Sequence, residues 1–184
     1  MRWVRAIASS RLGVRLALMN FFLNVAVEAS NVFMPLYAKD LGASNLQVGF
    51  TAAAFGLSFF VSSIVSGRQS DIHGRLIFVR AGLLLSVIAY LAQIFTPSPP
   101  LLMVVRGLVG FGFGLISAAV MAFTYENQTQ IGRFASYGAA GWLLGALLAA
   151  IFKNYYALFV ASSASSGLAL LVSLTFREGE RVRV

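Results

Sequence analysis

A stripe of polar side chains interrupts the first long apolar run of the chain. Its members follow i, i+4, i+8 and i+11 spacing, which confines them to about 80° of a helix surface; they are Asn20, Asn24, Glu28 and Asn31. An acid near the centre of a bilayer costs about 2.5–3.5 kcal/mol on insertion scales, so the stripe cannot face lipid. The spacing therefore predicts a water-filled cavity or a contact with another polar helix.

Glu28 is the member of this stripe with the most evident chemistry. Its carboxylate would bind a proton or a cation, or contact the cationic group of a substrate. The alternative is a static acid that accepts a hydrogen bond from Asn24, Asn31 or Arg106. Both interpretations place the side chain away from lipid.

The elements that must position these residues are membrane helices. The chain has 184 residues, is 59% hydrophobic and 11% charged, and has a mean hydropathy of +0.82. A span needs roughly 20 apolar residues, and six such runs with short turns use nearly the whole chain. We expect an all-α membrane protein, a single six-helix transmembrane domain over residues 1–184. The predicted helices cover about 16–37, 46–66, 76–95, 101–125, 134–152 and 156–176.

The basic residues predict the orientation of these helices. Eleven of the 14 flank the runs on one side, only Lys39 and Lys153 fall on the other, and Arg106 lies within a run. Because arginine-rich short loops stay in the cytoplasm, we expect a multi-pass protein of the cell (inner) membrane with both termini cytoplasmic. The same distribution explains the net charge of +8 as a topology signal, so no nucleic-acid partner is expected.

The residue types argue against an enzyme or a metal site. The chain contains no cysteine and one histidine, His73, so neither a thiolate site nor a histidine cluster can form. No paired carboxylates lie on facing spans. We expect no cofactor, no metal and no catalytic residue; the partners are a small-molecule solute and the lipid bilayer.

A polar break at residues 67–75 separates two uncharged runs and predicts a short loop at the cytoplasmic surface. Its spacing, G-x-x-x-D-x-x-G-R, resembles the loop between the second and third helices of the major facilitator superfamily of transporters. Further resemblances follow in order: Phe33 to Tyr37 looks like the first-helix exit of drug-efflux-like members, and the segment from Arg106 to Gly114 resembles the arginine motif of the fourth helix.

Three departures from the family pattern are visible in the sequence. Gln69 stands where the family has a small apolar residue, and Ile72 and Leu76 stand where it has basic ones. Ala146 follows Gly145, so the Gly-Pro of the antiporter fifth helix is missing. The chain also corresponds only to the amino-terminal six of the family's twelve helices.

The resemblance implies a mechanism and a set of roles. Members move solutes by alternating access between two six-helix bundles, each built from two three-helix inverted repeats. We expect this chain to pair with a second six-helix unit, either itself in a parallel homodimer or a carboxy-terminal half. The alternatives are a fragment, and a non-transporting half-size module with a structural or regulatory role. The stripe suits a polar or amphiphilic solute, the efflux-like first helix points to export, and Glu28 is the candidate for proton coupling; the sequence decides neither the direction of transport nor the coupling ion.

Arg106 takes its expected role from the family: it would control a coupling proton or bind an anionic group of the substrate. The alternative is an arginine that snorkels to backbone carbonyls at the outer end. We also predict that Glu28 and Arg106 pair in at least one transport state. The face of Gly110, Gly114 and Ser117 offers a smooth track for another helix or a ligand. The predicted substrate or proton pathway is Asn20, Asn24, Glu28, Asn31, Thr51, Arg106 and Ser117.

The resemblance also implies a charge network that closes the cytoplasmic side and breaks on opening. The predicted gate consists of Gly67, Asp71, Gly74, Arg75, Glu126 and Arg133. Asp71 would alternatively cap a helix of a second bundle. The plainest interpretation is an ordinary polar loop whose ion pairs are worth at most about 1 kcal/mol each.

Overall fold

A computed structural model describes residues 2–126 and 131–176 of the chain. In that part every regular element is helical, and six helical segments are long and apolar enough to cross a membrane. The α-helices are α1 (Arg2–Asn31), α2 (Met34–Asp40), α3 (Asn45–His73), α4 (Arg75–Ala92), α5 (Pro99–Glu126), α6 (Ile131–Phe152) and α7 (Tyr155–Leu174). The predicted all-α membrane fold is confirmed.

The first span consists of two helices rather than the single predicted one. α1 ends at Asn31, the chain turns through Val32 and Phe33, and α2 continues to Asp40. Pro35 stands in the first turn of α2, where a missing N–H is tolerated, and it cannot donate to the carbonyl of Asn31. The single helix predicted over about 16–37 is therefore divided into two near Pro35.

The predicted loop at 67–75 is also corrected by the structure. α3 stays helical to His73 and α4 begins at Arg75, so that Gly74, with φ of 107°, is the whole connection. A positive φ of this size suits glycine because it has no Cβ. Charged side chains at a membrane surface need not end a helix: Asp71 and Arg75 lie one turn apart and pair at 2.9 Å.

The start of α3 is fixed by a capping box. The Gln47 backbone N–H donates to Ser44 Oγ at 3.2 Å, and the Ser44 N–H donates to Gln47 Oε1 at 2.9 Å. The two bonds satisfy backbone donors that the first helical turn leaves open. The side chain of Gln47 therefore caps its own helix.

Helix packing follows the symmetry of an inverted repeat. The first span packs on α6 and α7, and the fourth span, α5, packs on α3 and α4. If spans one, two and three are exchanged for spans four, five and six, the contacts of the first span become those of the fourth, and the reverse. The contact between α4 and α7, which are the third and sixth spans, is unchanged by the exchange. Spans one to three and four to six thus form two three-helix repeats.

Glycines allow the closest of these helix contacts. A Cβ added at Gly110 or Gly114 of α5 would overlap the backbone of α3, and one added at Gly141 or Gly145 of α6 would overlap the backbone of α1. The small residues of α6 thus form a packing surface against α1. On α5 the smooth track holds another helix, not a ligand.

Candidate functional site

One open cavity of about 620 Å³ lies between α1 and α6, and we call it the acidic cavity. α1 contributes Asn20, Asn24 and Glu28, which lie one helical turn apart along its length. α6 provides an apolar wall that includes Trp142, 55% exposed, and Leu143, 64% exposed. A polar stripe thus faces large apolar side chains across an open space, which suits a molecule with both kinds of surface.

The two amides in this cavity are held by hydrogen bonds. Asn20 Nδ2 donates to the carbonyl of Phe134 at 2.9 Å, which ties α1 to α6. Asn24 Nδ2 donates to the carbonyl of Asn20 at 2.7 Å and to its Oδ1 at 3.0 Å. Because each amide nitrogen already donates within the protein, both side chains are held in place at the edge of the cavity.

Glu28 differs from the amides, since its carboxylate has no hydrogen bond or ion pair with the residues that the structure describes. The side chain is partly exposed. A Cβ on Gly145 would come within 2.8 Å of Glu28 Cβ, so the glycine leaves room for the stem of the acid. Hydrogen bonding of Glu28 to Asn24, Asn31 or Arg106, the static alternative, is not seen in this state.

A second cavity of about 300 Å³ lies between the first span, α3 and α5, and we call it the arginine cavity. Its polar lining consists of Asn31, Thr51 and Arg106, and Phe55 and Pro35 contribute apolar surface. Thr51 is buried and donates its hydroxyl to the carbonyl of Gln47 at 2.8 Å. Its polarity is therefore largely used by its own helix.

Arg106 is 3% exposed and is held by neutral partners. One terminal nitrogen donates to Ser30 Oγ at 3.2 Å and to Gln93 Oε1 at 3.5 Å, and the other donates to Asn31 Oδ1. The guanidinium carbon lies 4.8 Å from the centre of the Phe55 ring, within cation–π range. Among the described residues no carboxylate pairs with Arg106, so its positive charge is solvated but not neutralised.

The partners of Arg106 include residues that the sequence interpretation did not select. Gln93 is fully buried and also donates to Ser30 Oγ at 3.4 Å. In the sequence, Gln93 differs from its neighbours only as an amide in an otherwise apolar run. Nothing in the sequence pointed to Phe55, whose role depends on how α3 packs against α5.

The predicted pathway residues fall into two groups and one outlier. Asn31 lines the arginine cavity, unlike the other residues of its stripe, which line the acidic cavity. Glu28 and Arg106 also lie in different cavities and are not paired in this structure. Ser117 lines neither cavity; its hydroxyl donates to the carbonyl of Phe113 at 2.9 Å within α5. The polar lining is thus smaller than the sequence predicted.

The predicted gate residues lie at the end of the bundle where α3 and α5 end and where α4 and α6 begin. We call it the arginine-rich end. Asp71 and Arg75 form the ion pair described above, while Gly67 is part of α3. Arg133 is exposed at the start of α6. The side chain of Glu126 lies outside the described residues, so its part in the network stays a prediction.

Comparisons with known proteins agree with this architecture. A family model described as Major Facilitator Superfamily matches residues 16–183. The multi-drug resistance efflux pump PmrA homolog of Lactococcus lactis is 31% identical over 121 residues, which cover 64% of this chain and 30% of that protein. The quinolone resistance protein NorA of Staphylococcus aureus is 25% identical over 118 residues, covering 61% and 30%.

An uncharacterized MFS-type transporter of Methanocaldococcus jannaschii, MJ1560, is 26% identical over 129 residues, covering 67% of this chain and 33% of that protein. The matched segments thus span about a third of the length of each of these relatives. Because the family match runs across all six apolar helices, this multi-pass membrane protein belongs to the Major Facilitator Superfamily of transporters.

Proposed function

We propose that the chain moves a small amphiphilic solute with a cationic group across the membrane by alternating access, as one of two six-helix units. The observation that carries the proposal is the acidic cavity, where Glu28 is a charge with no partner among the described residues. In a partly desolvated cavity an unpaired carboxylate attracts a cation more strongly than it would in water. The names of two relatives, a multi-drug efflux pump and a quinolone resistance protein, support an export role.

The apolar wall of the acidic cavity supports the amphiphilic part of the proposal. Trp142 and Leu143 present large exposed side chains opposite Glu28. A flat aromatic ring would stack on the indole while its positive group reaches the carboxylate. A strongly hydrated small cation gains nothing from this wall, so we favour an organic cation.

The arginine cavity has the opposite charge. A buried guanidinium with neutral partners repels a second cation and attracts an anionic or carbonyl group. We propose that Arg106 keeps the cationic end of the solute at Glu28 and orients its other end toward Asn31. Proton coupling would use Glu28, because a carboxylate can bind either the solute or a proton but not both at full strength.

Trp142 provides a test that does not depend on whether the chain pairs with a second six-helix unit. The chain has two tryptophans, Trp3 and Trp142, so a W3F variant reports on the acidic cavity alone. Titrating purified W3F protein with tetraphenylphosphonium should quench its fluorescence saturably, and a neutral aromatic compound of similar size should bind much more weakly. Equal affinity for the neutral compound, or no saturable signal, would contradict the proposal.

The second six-helix unit would cover the face that carries both cavities. Neither α4 nor α7 contributes to the lining of either cavity, and these two helices pack against each other. In a parallel pair the two cavity faces would enclose a central pathway. Asp71, Arg75, Glu126 and Arg133 would close one end of it, on the cytoplasmic side of the inner membrane in the orientation that the arginines favour.

Crosslinking tests self-pairing directly, since the chain contains no cysteine. Ala139 is exposed on the cavity side of α6, and Ile88 is 57% exposed on α4. In nanodiscs, A139C protein treated with a bis-maleimide should form covalent dimers, whereas I88C protein should not. Dimers from neither variant would exclude a self-paired transporter and leave a different second unit or a non-transporting module. Dimers only from I88C would place the interface on the wrong face.

A further inference from the structure

A third open space lies between α4 and α7, which contribute to neither of the two cavities. It is a groove of about 840 Å³ between α4 and α7 at the arginine-rich end, called here the α4–α7 groove. His73 and Arg80 form its polar end, and Ile77, Ala81, Leu84 and Leu170 are among its apolar residues. The proposed transport pathway uses none of these side chains.

Arg80 is anchored in this groove with part of its hydrogen-bonding capacity unused. Nη2 donates to the carbonyl of Ser173 at 3.3 Å and to that of Phe176 at 3.0 Å, which caps the end of α7. Nε is buried without a hydrogen-bond partner, and within the described residues Nη1 makes no hydrogen bond either. A guanidinium has five N–H donors in a fixed plane, so a fixed cation with open donors faces the groove.

Within residues 2–126 and 131–176, no carboxylate pairs with Arg80. None of the described residues that line the groove is acidic, and the carboxylate of Asp71 pairs with Arg75 at 2.9 Å. His73 is exposed and its Nδ1 lies 3.3 Å from the carbonyl of Gln69, so Nε2 remains available to a ligand. The polar end of the groove thus matches a group that carries negative charge and several acceptor oxygens.

An apolar track continues from this polar end toward the middle of the span. Ile77, Leu84 and Ile88 are 59%, 52% and 57% exposed, and with Ala81 they follow i, i+4, i+7 and i+11 spacing on one face of α4. At 1.5 Å per residue the track is roughly 16 Å long, close to half the ~30 Å hydrocarbon core. One acyl chain of a lipid in a single leaflet has that reach.

We propose that the α4–α7 groove binds an anionic phospholipid. Its phosphate accepts from Arg80, and one acyl chain lies along Ile77, Ala81 and Leu84. A guanidinium binds phosphate oxygens with two parallel hydrogen bonds, and the two carbonyls that hold Nη2 fix the plane of the group. The bound lipid thereby joins α4 to the end of α7, where the two repeats meet. This inference is independent of the proposed transport function.

Native mass spectrometry of the full chain in detergent tests the site, using phosphatidylglycerol and phosphatidylcholine with identical acyl chains. The unmodified protein should retain one phosphatidylglycerol with a clear preference over phosphatidylcholine. R80Q should weaken phosphatidylglycerol binding about fivefold, the effect of one basic residue near a membrane surface. R68Q, which removes an exposed arginine of α3 at the same end, should leave the preference unchanged.

A81W provides a second variant that keeps Arg80 and its bonds to α7. Because Ala81 is exposed within the groove, a tryptophan there would occupy the path of the acyl chain and should also release the lipid. Retention of the preference in A81W overturns the proposal even if R80Q unfolds. Equal retention of both lipids by the unmodified protein, or displacement by soluble glycerol 3-phosphate at equal concentration, overturns it as well.

Discussion

Glu28→Gln should weaken the binding of tetraphenylphosphonium about 10- to 100-fold. The substitution keeps the size of the side chain and removes its charge, while the amides of Asn20 and Asn24 stay bonded within the protein. At an effective dielectric constant of about 20, a carboxylate and a phenyl-shielded cation about 7 Å apart attract each other by about 2 kcal/mol, and about 1.4 kcal/mol is a factor of ten in affinity. The fluorescence of Trp142 in a W3F background measures the change.

Asp40→Asn is the matched control for that variant. It makes the same chemical change at the end of α2, where Asp40 is exposed and accepts a hydrogen bond from the Tyr155 hydroxyl at 2.7 Å. D40N should bind the cation as the parent does. If E28Q and D40N both bind like the parent, Glu28 is not the cation site and the acidic cavity loses its proposed role.

The same pair of variants separates a proton role from a static one. In the parent, cation binding should weaken as pH falls, because a protonated Glu28 no longer attracts a cation. In E28Q this pH dependence should disappear, whereas D40N should retain it. A full pH dependence in E28Q would assign the titration to another group and remove Glu28 from proton coupling.

The sequence predicted what depends on apolar length and helical period. Six spans follow from the lengths of the apolar runs, and Asn20, Asn24 and Glu28 share a cavity because their spacing places them on one face of α1. Hydropathy marks where apolar residues end, however, and not where backbone hydrogen bonding ends. For that reason α3 continues through the polar residues to His73.

The arrangement around Arg106 could not be predicted in the same way. Its partners Ser30, Gln93 and Phe55 come from three different helices, and their meeting depends on which helices pack together and in what register. Asn31 differs from the rest of its stripe for a similar reason, since the chain turns directly after it at Val32. Local periodicity does not contain this information.

Gly110→Ala should lower the melting temperature of the protein by about 2–12 °C. A Cβ at this position would overlap the backbone carbonyl of Phe55, which cannot move as a flexible side chain could. Overpacking of a close contact costs about 1–3 kcal/mol, and each kcal/mol shifts the melting temperature of a protein of this size by about 2–4 °C. Thermal unfolding in detergent, followed by size-exclusion chromatography, measures the shift.

Gly56→Ala separates packing from helix propensity. Gly56 lies in α3, one residue from Phe55, and a Cβ there would meet nothing within 4 Å. Alanine favours a helix over glycine by about 1 kcal/mol at both positions, so G56A should match or exceed the parent in stability while G110A falls below it. Equal melting temperatures for G110A and the parent would mean that α5 and α3 are not packed as closely as the structure has them. The glycine motif of the fourth span would then need a different explanation, such as contact with a ligand.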